Sequence, residues 1–249
     1  MGFIVNGLIK KPVLSTYNVY MFANLTIYNP IIGSNIGIPL NILQYIFTTT
    51  YYDKNILTDK LILLQFAIGI FTYGSDRLFD AIDYNSMVNK SIVYSIDKIN
   101  YYDYLISTIN YNIFLIISSY IYIFYILNHN QETYPLLYVL TSTLFYRDFK
   151  KNFGELKPLY IGIYWTFGCV ILPCVLYDNN YDILLHPSIY IPSILLMFST
   201  SNMLDIKDID EDRKNGINTL AVKFGKFNSE LISNSCYIIG LVIYLTNFT

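Results

Sequence analysis

Charge is what this chain has least of. Only 14% of its 249 residues are Asp, Glu, Lys or Arg, and 16 bases against 18 acids leave a net charge of -2. That balance gives no basic footprint and excludes nucleic acid as a partner. Histidine is scarce too: His129 and His186 fall in separate predicted turns, where both read as solvated. Cys169, Cys174 and Cys236 sit inside apolar runs without a CxxC pair or a histidine at ligand spacing. They read as small buried apolar residues, not as disulfide partners or metal ligands. Trp165, the only tryptophan, reads as packing. No Gly-rich phosphate loop, Ser/His/Asp arrangement or haem-ligand pattern is present. The N-terminal apolar run after Lys10 and Lys11 is too long for a cleaved signal and lacks a small-residue cleavage site.

What fills the chain is hydrophobic. Apolar residues make up 54% of it and the mean hydropathy is +0.40, the composition of an integral membrane protein. The 26 tyrosines suit interfacial belts at Tyr51, Tyr52, Tyr101, Tyr102 and Tyr104, although general enrichment in Ile, Asn, Tyr and Lys accounts for most of them. About 20 apolar residues cross a bilayer as a helix. The runs that approach this length are Pro12 to Thr50, Leu61 to Gly74, Tyr104 to Leu127, Tyr134 to Tyr146, Leu159 to Tyr177, Ile189 to Leu204 and Leu231 to Tyr244. The expected fold is therefore all-α: a polytopic transmembrane bundle of about seven spans, forming one domain over 1–249. An eighth span arises if Pro12 to Thr50 is a hairpin.

Charge bias orients these spans. With strict alternation, the loops at 76–103, 147–157 and 205–226 share one side and carry three, four and five Lys or Arg. The loops at 52–60, 128–133 and 178–187 carry two, none and none. The positive-inside rule makes the first set cytoplasmic. Lys10 and Lys11 join it only if Pro12 to Thr50 crosses once, which favours seven spans.

Against this background two acidic stretches stand out, and both fall on the positive side. Asp76 and Asp80 lie four apart at the end of one span. Asp205, Asp208 and Asp212 follow another, at i, i+3 and i+7, and share one face if the helix continues past the membrane. Unpaired carboxylates in such rows repel one another. A hard divalent cation such as Mg2+, held by one or two carboxylates and the phosphates of a substrate, removes the repulsion. Ionisable groups beside hydrocarbon are costly and mark functional sites. Two DxxxD pairs facing each other suit ionisation of an allylic diphosphate, in which charge on the departing pyrophosphate is neutralised while an electron-rich acceptor attacks the cation. An apolar bundle suits the isoprenoid tail and keeps water off the cation.

The stretch Asp205-Ile-Lys-Asp208-Ile-Asp-Glu-Asp212-Arg-Lys-Asn-Gly216-Ile-Asn-Thr219-Leu220 resembles the second aspartate-rich motif of the UbiA superfamily of intramembrane prenyltransferases. Asp76-Arg77-Leu78-Phe79-Asp80 resembles that family's first motif, NxxxDxxxD, and Lys11-Pro12 fits its usual opening. The resemblance implies a bundle whose motifs cap a lateral, lipid-open cavity, with Mg2+ and a prenyl diphosphate at the cytoplasmic face and a hydrophobic acceptor drawn from the membrane. It implies Asp76, Asp80, Asp208 and Asp212 as metal-binding acids, with Asp76 and Asp208 catalytic and Asp205 supporting. Arg77, Lys150, Lys151, Lys157, Lys207 and Arg213 would contact diphosphate. Thr72 and Asn202 would orient substrate.

The chain departs from the family pattern twice. Thr72 stands where the first motif has Asn, and a hydroxyl cannot reproduce an amide's two-ended bonding. The family fold has nine spans, whereas the 37 residues after Asp212 suffice for one. A catalytically inactive or truncated UbiA-like protein is therefore the alternative to an active transferase. An ion-coupled transporter fits less well, because the acids cluster at span ends and not at the bilayer midplane.

Overall fold

The computed structural model describes residues 34–86, 96–128 and 133–248. The expectations for Lys10, Lys11, Pro12 and the number of crossings before residue 34 lie outside the described residues. Within them the chain is helical throughout and contains no strand. The elements are α1 (Ser34–Tyr52), α2 (Asp59–Ser86), α3 (Ile96–Ser107), α4 (Ile109–Asn128), α5 (Tyr134–Thr141), α6 (Tyr146–Asn152), α7 (Lys157–Thr166), α8 (Leu172–Asp178), α9 (Pro187–Lys207), α10 (Ile209–Lys214) and α11 (Leu220–Phe248). Among the described residues four segments are long and apolar enough to cross a membrane: Ile109–Asn128, Gly154–Asp178, Pro187–Lys207 and Leu220–Thr246. The other expected spans fall on α1, α2 and α5, which are shorter or more polar helices.

Several breaks within the apolar runs have local causes. The run Tyr104 to Leu127 is divided at Thr108, whose hydroxyl donates to the Tyr104 carbonyl at 2.9 Å while the Asn112 amide donates to the Leu105 carbonyl at 3.2 Å. The Tyr104 carbonyl also keeps the Thr108 N–H at 3.1 Å, so Thr108 adds a competing local bond while Asn112 serves the Leu105 carbonyl. Between α5 and α6, Ser142–Phe145 tightens to a 3-10 turn. There Thr141, Ser142 and Thr143 each donate a hydroxyl to the carbonyl three residues earlier, at 3.0, 2.6 and 2.9 Å.

Between α7 and α8 the helix widens over Phe167–Ile171, and the Leu172 N–H reaches back to the Phe167 carbonyl. In that register the next donor, to the Gly168 carbonyl, would be residue 173, which is proline and has no N–H. Gln65 of α2 fills the gap, its Nε2 donating to the Gly168 oxygen at 2.8 Å in the buried interior. Leu64, Ile68, Leu140, Leu172 and Val175 pack around this point as part of the main core.

The long packing seam joins α9 to α7 and α11, and close approach is permitted by two glycines. A Cβ on Gly162 would stand 2.8 Å from the Ile194 carbonyl oxygen, and one on Gly240 would stand 3.2 Å from that of Pro192. These contacts fix α9 against its neighbours and so set where its C-terminal end, which carries the second acidic stretch, emerges.

Candidate functional site

The second acidic stretch forms a helix end, a short helix and a helix start in succession. The Asp208 N–H bonds to the Asp205 carbonyl, only three residues back, at 3.1 Å, and α9 stops there. The expectation of one continuous face for Asp205, Asp208 and Asp212 is thereby corrected: the tight turn at Asp208 puts Asp205 on the last turn of α9 and Asp212 on α10. The short helix closes with Gly216 at φ +70°. Ile217 N–H bonds to the Asp212 carbonyl at 2.9 Å and Gly216 N–H to that of Arg213 at 3.3 Å, a Schellman stop. Thr219 then caps α11 by accepting the Val222 N–H on its Oγ1 at 3.3 Å. Much of the pattern in this stretch thus encodes backbone turns, and the acids ride on them.

Those turns bury the acids. Asp205 is 2% exposed and Asp212 6%, whereas Asp208 is half-buried. Lys157, at the start of α7, forms an ion pair with Asp205 Oδ1, and Asp205 Oδ2 is buried without a hydrogen-bond partner. Burial pushes the Asp212 carboxyl up to about 6, with Lys157 and Lys150 pulling it down and Asp205 and Asp208 adding to the rise. The connector before α7 is locked to this region twice more. Lys223 of α11 bonds Glu155 at 2.6 Å. The backbone at Gly154 comes so near Asn218 that a Cβ would stand 2.8 Å from the Asn218 oxygen.

The first acidic pair reaches the same basic residues from α2. Asp76 feels Asp80, Arg77, Lys150 and Lys157 electrostatically. Arg77 contacts Asp80 at 3.5 Å and lies over the Tyr73 ring at 4.7 Å, and its buried Nε has no partner. Lys150 and Lys157 therefore act on one acid of each pair, Asp76 and Asp212.

The remaining expected site residues are placed as follows. Thr72 is buried and donates to the Ile68 carbonyl of its own helix at 2.7 Å. Asn202 is buried in the seam between α9 and α11, its Nδ2 bonded to the Ser229 carbonyl at 3.1 Å and to Ser233 Oγ at 2.9 Å, with Oδ1 unpartnered. Lys151 and Lys207 are exposed. Arg213 is 58% exposed and pairs with Asp210 at 3.5 Å, facing solvent.

One neighbour of the acids was not foreseen. Tyr146, the first residue of α6, is buried, and burial raises its phenol well above the usual range, with Asp76 and Asp205 adding to the rise and Lys157 and Arg77 opposing it. In the sequence it is only the last aromatic of an apolar run. The signal available was its position directly before the basic stretch Arg147 to Lys157.

The donor set is compatible with Mg2+ in one manner only. Among the described residues no group of three or more Asp, Glu, His or Cys side chains is placed to hold a metal ion. A closed protein cage is thus not built. Two carboxylate pairs, each four residues apart, match an ion that takes one or two carboxylates and completes its shell with water and substrate phosphate. Asp76 and Asp80 or Asp208 and Asp212 would hold it, while Asp205 is engaged by Lys157.

Comparison with known proteins places this geometry in context. The family model described as VviA prenyltransferase matches residues 104–247, which include Lys150, Lys157 and all the second-motif acids but not Asp76 or Asp80. No curated protein and no solved structure matches the chain.

Proposed function

The chain belongs to the VviA prenyltransferase family, and from that premise we propose that it transfers a prenyl group from a prenyl diphosphate to a hydrophobic acceptor, releasing pyrophosphate, with Mg2+ as the required ion. The observation that carries this reading is that Lys150 and Lys157 act electrostatically on both Asp76 and Asp212. One acid from each motif, more than a hundred residues apart in sequence, thus shares the field of the same two cations, as a single diphosphate site requires.

The protein's own groups divide the work. Lys150 and Lys157 bind the diphosphate oxygens and hold them against the acids, an arrangement whose stabilisation grows as the bond to the prenyl carbon breaks and negative charge collects on the leaving group. Arg77, fixed by the Tyr73 ring and Asp80, adds a third positive charge on the α2 side. Magnesium, when bound by the paired carboxylates, supplies further neutralisation of the leaving pyrophosphate. The four apolar spanning segments accommodate the isoprenoid and exclude water from the reacting carbon. The motif end of the bundle faces the cytoplasm by the charge bias of its loops. The wider resemblance of both motifs to the UbiA superfamily supports the same reading.

The test is Mg2+-dependent pyrophosphate release in detergent or nanodiscs from geranylgeranyl diphosphate, with a panel of phenolic and tetrapyrrole acceptors. Wild-type protein should release pyrophosphate, and Asp208→Asn or Asp76→Asn should each lower the rate by about a hundredfold or more. No release with any acceptor, from protein shown to be folded, would refute the transferase reading.

A further inference from the structure

The pairing of Lys157 with Asp205 is the least expected feature of the site, because it joins two residues that sequence resemblance assigns to different partners. An ammonium withdrawn from water cannot stand alone: removing one member of a buried pair leaves an uncompensated charge. Lys157 is 16% exposed and Asp205 3% at the side-chain level. The carboxylate meets the ammonium through one oxygen only, and Oδ2 is buried with no hydrogen-bond partner. Such a contact satisfies Lys157 but leaves Asp205 half satisfied, unlike a structural bridge in which both oxygens are bonded.

Charge around the pair is lopsided. Lys157 touches Asp205 and feels Tyr146 and Asp212 electrostatically, and Asp212 also feels Lys150, Asp208 and Asp205. The connector carrying Lys157 is pinned beside it by Glu155 with Lys223 and by Gly154 against Asn218. Its backbone is therefore held, so that a change of partner involves the Lys157 side chain alone.

We propose that Asp205 is a stand-in for the substrate's diphosphate: it neutralises Lys157 while the site is empty and yields that ammonium to a phosphate oxygen when the prenyl diphosphate enters. This rests on the transferase reading for the identity of the anion. Asp205 is a positioning residue in this scheme, holding Lys157 in place, and it competes with the ligand for the same cation.

Competition has a signature that a permanent bridge does not share. With divalent ions removed by EDTA, binding of inorganic pyrophosphate is measured by equilibrium dialysis on purified protein in detergent. Asp205→Asn should bind pyrophosphate about tenfold more tightly than wild type, because the competitor is gone. Lys157→Gln should lose this binding. The double variant Lys157→Gln/Asp205→Asn, which replaces the ion pair by two neutral amides, should fold and bind as poorly as Lys157→Gln.

Equal or weaker pyrophosphate binding by folded Asp205→Asn overturns the proposal. If that variant does not survive purification alone, its recovery by pyrophosphate, but not by chloride of matched ionic strength, supports the exchange, and failure to recover it counts against. The outcome is separable from that of the transferase assay. Wild type that releases pyrophosphate from a prenyl donor while Asp205→Asn gains nothing keeps the enzyme and loses the exchange. A gain in Asp205→Asn without turnover in wild type does the reverse.

Discussion

Asp212 carries the cost of burying a carboxyl beside other acids. Its carboxyl is raised from 3.8 to about 6, first by burial and then by Asp205 and Asp208, against the pull of Lys157 and Lys150. A carboxyl whose value in the folded chain stands above its unfolded value favours folding while protonated. That contribution is lost as pH rises from about 4 through about 6. The shift corresponds to at most about 3 kcal/mol, less whatever solvent screening removes at a group that is not wholly enclosed. Asp212→Asn should therefore raise the apparent melting temperature of metal-free protein at about pH 7.5, with the gain shrinking at about pH 5. A melting scan of both proteins in EDTA at the two pH values checks this, and an equal gain at both would exclude ionisation as the cause. The same residue shows what a sequence conceals. Its membership of an acidic stretch was legible, whereas its burial, and the half-exposure of Asp208 four residues earlier, depend on a turn that a spacing argument replaced with a continuous helix.

At the scale of the element, the widened segment Phe167–Ile171 illustrates how one missing donor is compensated from another helix. Gly168 keeps its carbonyl bonded only because Gln65 supplies Nε2 where Pro173 has no N–H. A buried carbonyl left unpaired costs about 1–3 kcal/mol. Gln65→Leu should destabilise the protein by somewhat less than that, since Gln65 Oε1 is itself unpartnered and its penalty disappears with it. Pro173→Ala restores a backbone N–H, so the cost of Gln65→Leu should fall sharply in the Pro173→Ala background. A double-mutant cycle of apparent unfolding midpoints in detergent reads the coupling, and strict additivity would contradict it. The sequence held Gly168, Pro173 and a lone Gln65 in an apolar run, but their meeting is a tertiary event. Local chemistry was more readable elsewhere: Gly216 and Thr219 act as stop and start within the very pattern that carried the family resemblance. The hydroxyl cluster Thr141, Ser142 and Thr143 is equally visible, but the apolar run around it reads as one span.

Across the whole molecule, the two ends of the bundle have different characters, and that difference bears on orientation. One end gathers Lys150, Lys157, Glu155, Lys223 and the acids. At the other, Tyr52 bonds Asp178, Tyr51 packs on His186 at 5.4 Å, and Lys54 lies 5.1 Å from the Tyr177 ring centre. Helix α9 joins the two, and its 21 residues rise about 31 Å, close to the hydrocarbon thickness of a bilayer. The run lengths and loop charges anticipated this polarity, including the placement of both acidic stretches at one end. The electrostatic influence of Lys150 and Lys157 on Asp76 required the folded chain, because the family match begins after the first motif. A protein so arranged should expose Lys151 and Leu185, the latter 77% exposed, on opposite faces of the membrane. In a background with Cys169, Cys174 and Cys236 replaced by serine or alanine, Lys151→Cys should be protected from a membrane-impermeant maleimide in intact cells and labelled after permeabilisation. Leu185→Cys should be labelled without permeabilisation. The reverse pattern would invert the orientation and move the proposed diphosphate site to the other compartment. Labelling of both positions in intact cells would mean that the segment Gly154–Asp178 does not cross the membrane as the loop charges require.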